Sequence, residues 1–196
     1  SSVPVGLRYD TRDSVLNPTR GLFFNLEVET ASDAIGSEVE FMRTISELRH
    51  VLPLPWAKSW YLASRAKGGL AYPLPGTDRI PLIRRFFPGG ANSVRGYAFQ
   101  TLGPLDSAGR PLGGEAMLEG SLELRFPLWG DLGGVVFTDV GNAYDKWEEI
   151  HSGLSNLRYT AGSGLRYHTP VGPLRLDFGY QLNPPEGGHL SRYEVY

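Results

Sequence analysis

Cysteine is absent from the chain of 196 residues, and this absence excludes several kinds of site. Without cysteine there is no disulfide framework, no thiolate zinc site and no cysteine nucleophile. The net charge is only −2, so the chain lacks the strongly basic character that marks most nucleic-acid-binding domains. No apolar run reaches the roughly 18 residues that a transmembrane helix requires. Helix-period stretches are also nearly absent, and an all-β fold is therefore the class that the pattern favours.

Glycine, proline and aromatic residues are abundant instead. The chain has 25 glycines and 15 prolines, and aromatic residues make up 12% of it. The glycines are scattered among segments in which apolar and polar residues alternate. In the clearest of these, from Leu174 to Tyr180, Leu, Leu, Phe and Tyr alternate with Arg, Asp and Gly. Because successive side chains of a strand point to opposite faces, this segment is predicted to be a strand with one apolar and one polar face.

Nine segments are predicted as strands, and their connections differ in length at the two ends. The strands are expected at 3–10, 22–30, 39–52, 59–74, 118–126, 133–143, 161–168, 174–180 and 192–196. The connections at one end are short turns, at 15–21, 53–58, 127–132 and 169–173. Those at the other end are longer, at 31–37, 75–114, 144–157 and 183–191. This sorting is typical of an outer-membrane β-barrel, with turns facing the periplasm and loops facing the exterior.

Two further features separate a membrane barrel from a soluble β-sandwich or a lipocalin-like barrel, which share the alternation. Aromatic residues lie near strand ends, as a membrane interface favours: Trp56, Trp60, Tyr72, Phe126, Trp129, Tyr144 and Trp147. Charged residues of both signs lie mid-strand on the polar face, where they can pair across a water-filled lumen: Glu27, Glu29, Arg65, Lys67, Glu119, Glu123, Arg125, Asp139, Arg166, Arg175 and Asp177. Both features favour the membrane barrel.

The loop at 75–114 is too long and too apolar for a simple exposed connection. It contains the string FFPGGANSVRGY at residues 86–97. We expect this loop to fold back and bury itself in the barrel lumen. The residues expected to pack it there are Phe86, Phe87, Gly89 and Gly90, and its central motif is Val94, Arg95, Gly96 and Tyr97.

Four other strings accompany the loop in a fixed order. GLRYDTRD at 6–13 precedes NPTRG at 17–21, VFTDVGN occupies 136–142, and TPVGPLRLD occupies 169–177. Together with the loop string at 86–97 they resemble the motifs of the bacterial outer-membrane assembly insertases, the superfamily that contains BamA, TamA and the two-partner secretion transporters. The resemblance covers nearly the whole chain. It implies a sixteen-stranded transmembrane barrel preceded by periplasmic POTRA domains.

On this resemblance, residues 1–196 form the C-terminal half of the barrel domain, strands eight to sixteen. The first half and the POTRA domains are then absent from the chain, and 193–196 begin a last strand that lacks its terminal aromatic signal. In this family the insertion of clients is attributed to a weak seam between the first and last strands, to which a client strand adds by β-augmentation. Proline and glycine at 184–188 predict an irregular approach to that seam, or an ordinary surface loop.

The resemblance also implies a role for the loop arginine. In the family it pairs with the aspartate of the F-x-D strand, which corresponds here to Asp139. Glu123 is a second candidate acceptor on the polar face. Arg95 needs such partners in a lumen, because an unpaired buried charge is costly. The alternative is that Arg95 caps a surface turn.

The function implied is assembly and insertion of β-barrel or autotransporter proteins in the bacterial outer membrane. The expected partners are the lipid bilayer, client proteins, POTRA domains and accessory factors, with no nucleic acid, cofactor or metal. The alternative is a two-partner secretion transporter or a passive pore. An enzyme is disfavoured because the histidines are dispersed, at His50, His151, His168 and His189. An outer-membrane lipase is disfavoured because Ser163 and His168 are five residues apart and fall on opposite faces of one strand.

Overall fold

The computed structural model describes residues 1–150, 156–169, 172–184 and 192–196. This part of the chain contains nine strands: β1 (Val3–Asp10), β2 (Gly21–Ala31), β3 (Phe41–Pro53), β4 (Tyr61–Pro73), β5 (Ala116–Trp129), β6 (Leu132–Tyr144), β7 (Arg158–Thr169), β8 (Gly172–Gln181) and β9 (Tyr193–Val195). They form one antiparallel sheet in which each strand pairs with its neighbours in sequence. Three short 3₁₀ helices accompany it, at Asp33–Ile35, Leu82–Arg84 and Trp147–Ile150. The predicted all-β fold with nine strands is confirmed.

The two faces of the sheet differ in polarity. One face, here called the outer face, exposes apolar side chains along its strands, including Val5, Leu7, Leu122, Leu176 and Phe178. The opposite, inner face carries charged residues that are buried: Glu29, Glu119, Asp139, Arg166 and Asp177. A soluble β-sandwich buries its apolar face and exposes its polar one, so that alternative is wrong. An exposed apolar band with a polar interior is the arrangement of a membrane barrel. Among the described residues, no helix has the length and apolar character needed to cross a membrane.

The connections at one end of the sheet are shorter than those at the other end, with one exception. At one end, seven residues (54–60) separate β3 from β4 and two residues (130–131) separate β5 from β6, and β7 and β8 are also two residues apart in sequence. At the other end the strands are separated by longer stretches, 74–115, 145–157 and 182–192. The connection 11–20, predicted as a short turn at 15–21, is as long as the connection 32–40. It is an ordered loop rather than a turn, because Asp13 accepts hydrogen bonds from Thr19 and Arg20. Hydrogen bonds from the Thr19 hydroxyl and backbone lower the pKa of Asp13 to about 2.

Aromatic pairs lie at both ends of β4, as expected for the two interfaces of a membrane. Trp60 stacks on Phe126 with ring centroids 5.1 Å apart, and Tyr72 meets Trp147 edge-on at 4.9 Å. Tyr144 was predicted to belong to this set, and that prediction is wrong because its side chain is only 4% exposed.

The inner face of β3 explains why its sequence pattern is mixed. Phe41 and Ile45 share this face with Arg43 and Glu47 because the long loop packs an apolar side chain, Phe86, against them. An inner face covered by a loop need not be uniformly polar. An irregular approach to the seam between the first and last strands was predicted at 184–188. Residues 185–188 of that stretch lie outside the residues that the structure describes.

A charge placed on the outer face tests the membrane assignment. We expect Leu122→Lys, at the centre of β5, to lower the free energy of unfolding in lipid vesicles by about 2–4 kcal/mol, because lysine at the bilayer midplane is poorly solvated. Leu174→Lys, near the end of β8, is the matched control and should cost about 0–1 kcal/mol. Urea titration measures both. Equal losses for the two variants would contradict the assignment.

Candidate functional site

The long loop, residues 74–115, packs on the inner face and enters it through Phe86. The Phe86 ring lies on Gly69 of β4, where a Cβ atom would be 2.6 Å from the Phe86 Cε1 atom. The Arg43 guanidinium covers the ring at 4.8 Å from its centroid. Nearby, Arg84 Nη1 forms an ion pair with Glu29 Oε1 at 2.8 Å. These contacts fix the first part of the loop.

A compact turn then presents the central motif. The Gly89 N–H donates to Ser93 Oγ at 2.8 Å, and the Gly90 N–H donates to the Tyr97 carbonyl at 2.9 Å. Phe87 packs on Gly113, where a Cβ atom would lie 2.5 Å from the ring. Phe87 was predicted to pack against the barrel wall, but this contact is within the loop itself.

Arg95 forms a bidentate ion pair with Asp139 of β6. Its Nε donates to Asp139 Oδ2 at 2.8 Å and its Nη2 donates to Oδ1 at 2.8 Å. The backbone N–H of Arg95 also donates to Oδ2, at 3.0 Å. Both residues are almost completely buried, at 3% and 1% exposed. A planar guanidinium matches a carboxylate in this way with well-defined geometry, which a lysine cannot reproduce.

The rest of the Arg95 guanidinium is also satisfied. Nη1 donates to Glu123 Oε1 at 2.6 Å, and Nη2 donates to Ser121 Oγ at 3.2 Å. The Phe137 ring lies beneath the guanidinium, whose carbon is 3.4 Å from the ring centroid. Burial disfavours the charge, but the hydrogen bonds with Asp139 and the charge of Glu123 outweigh it and raise the pKa of Arg95 above its usual value. The arginine therefore remains charged inside the protein.

The neighbouring motif residues approach the sheet where it carries glycine. Val94 is fully buried against Gly141 of β6, where a Cβ atom would be 2.8 Å from Val94 Cγ2. Gly96, with φ of 97°, lies on Gly179 of β8, where a Cβ atom would be 2.6 Å from the Gly96 nitrogen. The loop backbone can reach β8 only because neither glycine has a side chain.

Two hydrogen bonds connect the motif to the last two strands. Gln181 Nε2, at the end of β8, donates to the Gly96 carbonyl at 2.6 Å. The Tyr196 hydroxyl, just after β9, donates to the Tyr97 carbonyl. Tyr97 is itself buried, and this burial raises the pKa of its hydroxyl. Through these contacts the four motif residues together reach β5, β6, β8 and the end of the chain after β9.

A strand arginine provides a second anchor on the other side of the turn. Arg65 of β4 donates from Nη1 to the Asn92 carbonyl at 2.5 Å and from Nη2 to the Ser93 carbonyl at 2.9 Å. Ser93 Oγ donates to Glu119 Oε1 at 2.5 Å, and Arg65 Nη2 lies 3.2 Å from the other carboxylate oxygen. The turn is therefore held between β4 and β6.

The structure brings Arg95, Asp139 and Glu123 together, and it adds partners that sequence reasoning did not identify. These are Arg65, Ser121, Phe137, Gly179, Gln181 and Tyr196. Alternation alone places Phe137 on the face of Asp139, and Gly179 and Gln181 on the face of Asp177. It does not indicate which of them the loop touches.

Neither a metal site nor the catalytic pair Ser163 and His168 is formed by the described residues. No three histidine, aspartate or glutamate side chains cluster there as metal ligands. Ser163 is exposed on the outer face, while His168 lies on the inner face with Nδ1 3.1 Å from Asn17 Nδ2. The two side chains therefore cannot form a catalytic pair within one strand.

Comparison with known proteins agrees with this geometry. Residues 1–194 match the family model of the Omp85 superfamily domain. The chain belongs to the Omp85 superfamily. This Omp85 domain is similar to the outer membrane protein assembly factor BamA of Nitratidesulfovibrio vulgaris strain Hildenborough, with 32% identity over 190 residues, which cover 94% of the chain and 24% of that protein. BamA of Neisseria meningitidis serogroup B is 28% identical over 221 residues, covering 97% of the chain and 27% of that protein.

Two further similarities extend the comparison. The sorting and assembly machinery component 50 homolog of Mus musculus is 35% identical over 128 residues, which cover 65% of the Omp85 domain and 26% of that protein. The crystal structure of BamA from Haemophilus ducreyi lacking POTRA domains 1–3 superposes with a TM-score of 0.82 at 20% identity. That match covers 99% of this chain and 41% of the other, and it shows a shared fold.

The Omp85 domain spans about a quarter of the length of these three curated relatives. Its bacterial relatives are outer-membrane proteins by name, and its own outer face is apolar. The domain is therefore a partial β-barrel of the bacterial outer membrane.

Removing the charge of Asp139 tests the anchoring of the loop. Asp139→Asn keeps the shape of the side chain but leaves the Arg95 guanidinium buried without its bidentate partner, which should cost about 3–5 kcal/mol. We expect hydrogen exchange of the amides at 89–97 to accelerate strongly in detergent. Asp106→Asn, which breaks an exposed contact with Arg110, is the control and should leave those amides unchanged. Wild-type protection in Asp139→Asn would disprove the anchoring role.

The glycine contact gives an independent test. In Gly179→Ala the new methyl group would overlap the Gly96 backbone, so the loop must lift from β8. We expect faster tryptic cleavage after Arg95, which is buried in the wild type. Gly68→Ala is the control because its nearest heavy atom would be 3.8 Å away. If both variants are cleaved at the wild-type rate, the loop does not depend on this contact.

Proposed function

We propose that this Omp85 domain is the C-terminal part of an outer-membrane assembly factor of the BamA and TamA type. In the complete protein it helps to fold and insert β-barrel or autotransporter proteins into the outer membrane. The observation that carries the proposal is the loop motif docked through Arg95 on Asp139 within a chain that matches the superfamily over residues 1–194. The BamA and component 50 relatives are named as assembly proteins, which supports the same role.

The nine strands correspond in this proposal to strands eight to sixteen of a sixteen-stranded barrel. Periplasmic POTRA domains and accessory assembly factors belong to the complete protein and deliver the clients. The match, which covers 99% of this chain but only 41% of the Haemophilus ducreyi BamA chain, supports the proposal that the nine strands are part of a larger barrel.

The mechanism rests on strand addition rather than on a catalytic step. A client strand pairs with the edge of the last strand of the complete barrel by β-augmentation, and folding of the client supplies the free energy. The loop stabilises that edge from inside, because Gln181 and Tyr196 hold the motif against β8 and β9. The relatives are assembly factors rather than enzymes, which agrees with such a mechanism.

The ion pair of the loop provides the decisive variant. We expect Arg95→Ala in the complete protein to reach the outer membrane but to insert clients into lipid vesicles at least tenfold more slowly, because the loop is no longer fixed. Arg95→Lys keeps the charge without the bidentate contact, and its insertion rate should lie between those of the wild type and Arg95→Ala. Arg110→Ala, at the exposed tip of the same loop, is the matched control. Wild-type insertion by Arg95→Ala would refute the proposed role.

A further inference from the structure

A cavity of about 740 Å³ lies on the inner face, between the central turn of the loop and the short connections at the opposite end. Its lining is strongly basic. Among the described residues that line it, seven are arginines and the only carboxylate is that of Glu123. Such a concentration of one charge is unfavourable unless anions balance it.

The strand register brings arginines together in directly opposed pairs. Arg166 of β7 is opposite Arg175 of β8, and Arg49 of β3 is opposite Arg65 of β4. All four line the cavity. Directly opposite residues on one face of an antiparallel pair have Cβ atoms only about 4.5–5.5 Å apart, and like charges there are destabilising. Each pair therefore requires carboxylates or a bound anion nearby.

Carboxylates of the chain balance most of these arginines. Asp177 accepts two hydrogen bonds from Arg166, at 2.5 and 2.9 Å. Glu47 accepts from Arg49 at 2.8 Å, and Arg125 pairs with the Glu123 carboxylate at 2.7 Å. These arginines have their counter-charges within the protein.

Arg175 differs from them. Its Nη2 donates to Asn92 Oδ1 at 2.9 Å, a neutral acceptor in the loop. Within the described ranges, no carboxylate oxygen lies within ion-pair distance of its guanidinium. The positive charge of Arg175 thus faces the cavity beside Arg166, and none of the described carboxylates forms an ion pair with it.

We propose that this cavity binds a phosphate group, with Arg175 as its principal ligand and Asn92 positioning the guanidinium. Arginines approach the space from two walls, the β3–β4 side and the β7–β8 side. A tetrahedral phosphate offers acceptor oxygens in both directions, whereas a planar carboxylate offers them in one plane. The group comes from free phosphate or from the headgroup of an anionic phospholipid. Neither the family match nor the proposed function assigns such a site.

The test uses the complete protein and separates these two sources. Isothermal titration in detergent measures binding of inorganic phosphate. Native mass spectrometry after reconstitution in nanodiscs, with either phosphatidylcholine alone or added phosphatidic acid, measures headgroup retention. We expect Arg175→Gln to weaken the binding at least tenfold and Arg175→Lys to weaken it less. Arg110→Gln, paired with Asp106 in the exposed loop tip, should bind as the wild type does.

Each outcome decides the proposal. Saturable binding of inorganic phosphate that depends on Arg175 supports a free-phosphate site, and retention of phosphatidic acid alone supports a headgroup site. Absence of both in the wild type, or equal affinity in Arg175→Gln, overturns the proposal. Binding of acetate but not of phosphate overturns the choice of ligand. Should Arg175→Gln fail to fold, reduced affinity in Arg175→Lys supports the site and unchanged affinity overturns it.

Discussion

The burial of one guanidinium constrains the rest of this structure. Arg95 lies on the inner face at 3% exposure, where a charge without partners would be strongly destabilising. Asp139, Glu123 and Ser121 satisfy it, and Phe137 supports it from below. These groups belong to β5 and β6, so the loop can stay folded only if the register of those two strands is maintained. The ion pair therefore couples the conformation of a long loop to the pairing of the sheet.

A difference in polarity between its two faces extends over the whole sheet. Every strand in the described part of the chain hydrogen-bonds to its neighbours in sequence, and the exposed apolar side chains of the strands lie on the face away from the loop. In a bilayer this arrangement satisfies the backbone while lipid covers the apolar face. Charged residues collect on the inner face, where they pair with the loop and with one another. Their arrangement is not uniform: carboxylates and arginines pair around the loop motif, whereas arginines predominate in the cavity near the short connections.

The loop motif acts as a connector between strands that are distant in sequence. Val94 and Arg95 contact β6, Gly96 contacts β8, and the Tyr97 carbonyl accepts from Tyr196. A displacement of β8 or of the chain after β9 must therefore disturb the contacts of Arg95 with the inner face. In a superfamily whose named members assemble outer-membrane proteins, this arrangement offers a physical route from the last strands to the interior of the barrel.

The sequence by itself determined the nine strands, their two faces and the segment that carries the loop motif, because period-two alternation and motif strings are local properties of the chain. It also indicated Asp139 and Glu123 as partners of Arg95, from a family resemblance and a shared face. Only the tertiary structure decided that Arg175 lies opposite Arg166, that Gly96 lies on Gly179 and that Tyr144 is buried. These contacts depend on strand register and on the path of a long loop. Both are set by packing between segments far apart in sequence, which local patterns do not encode.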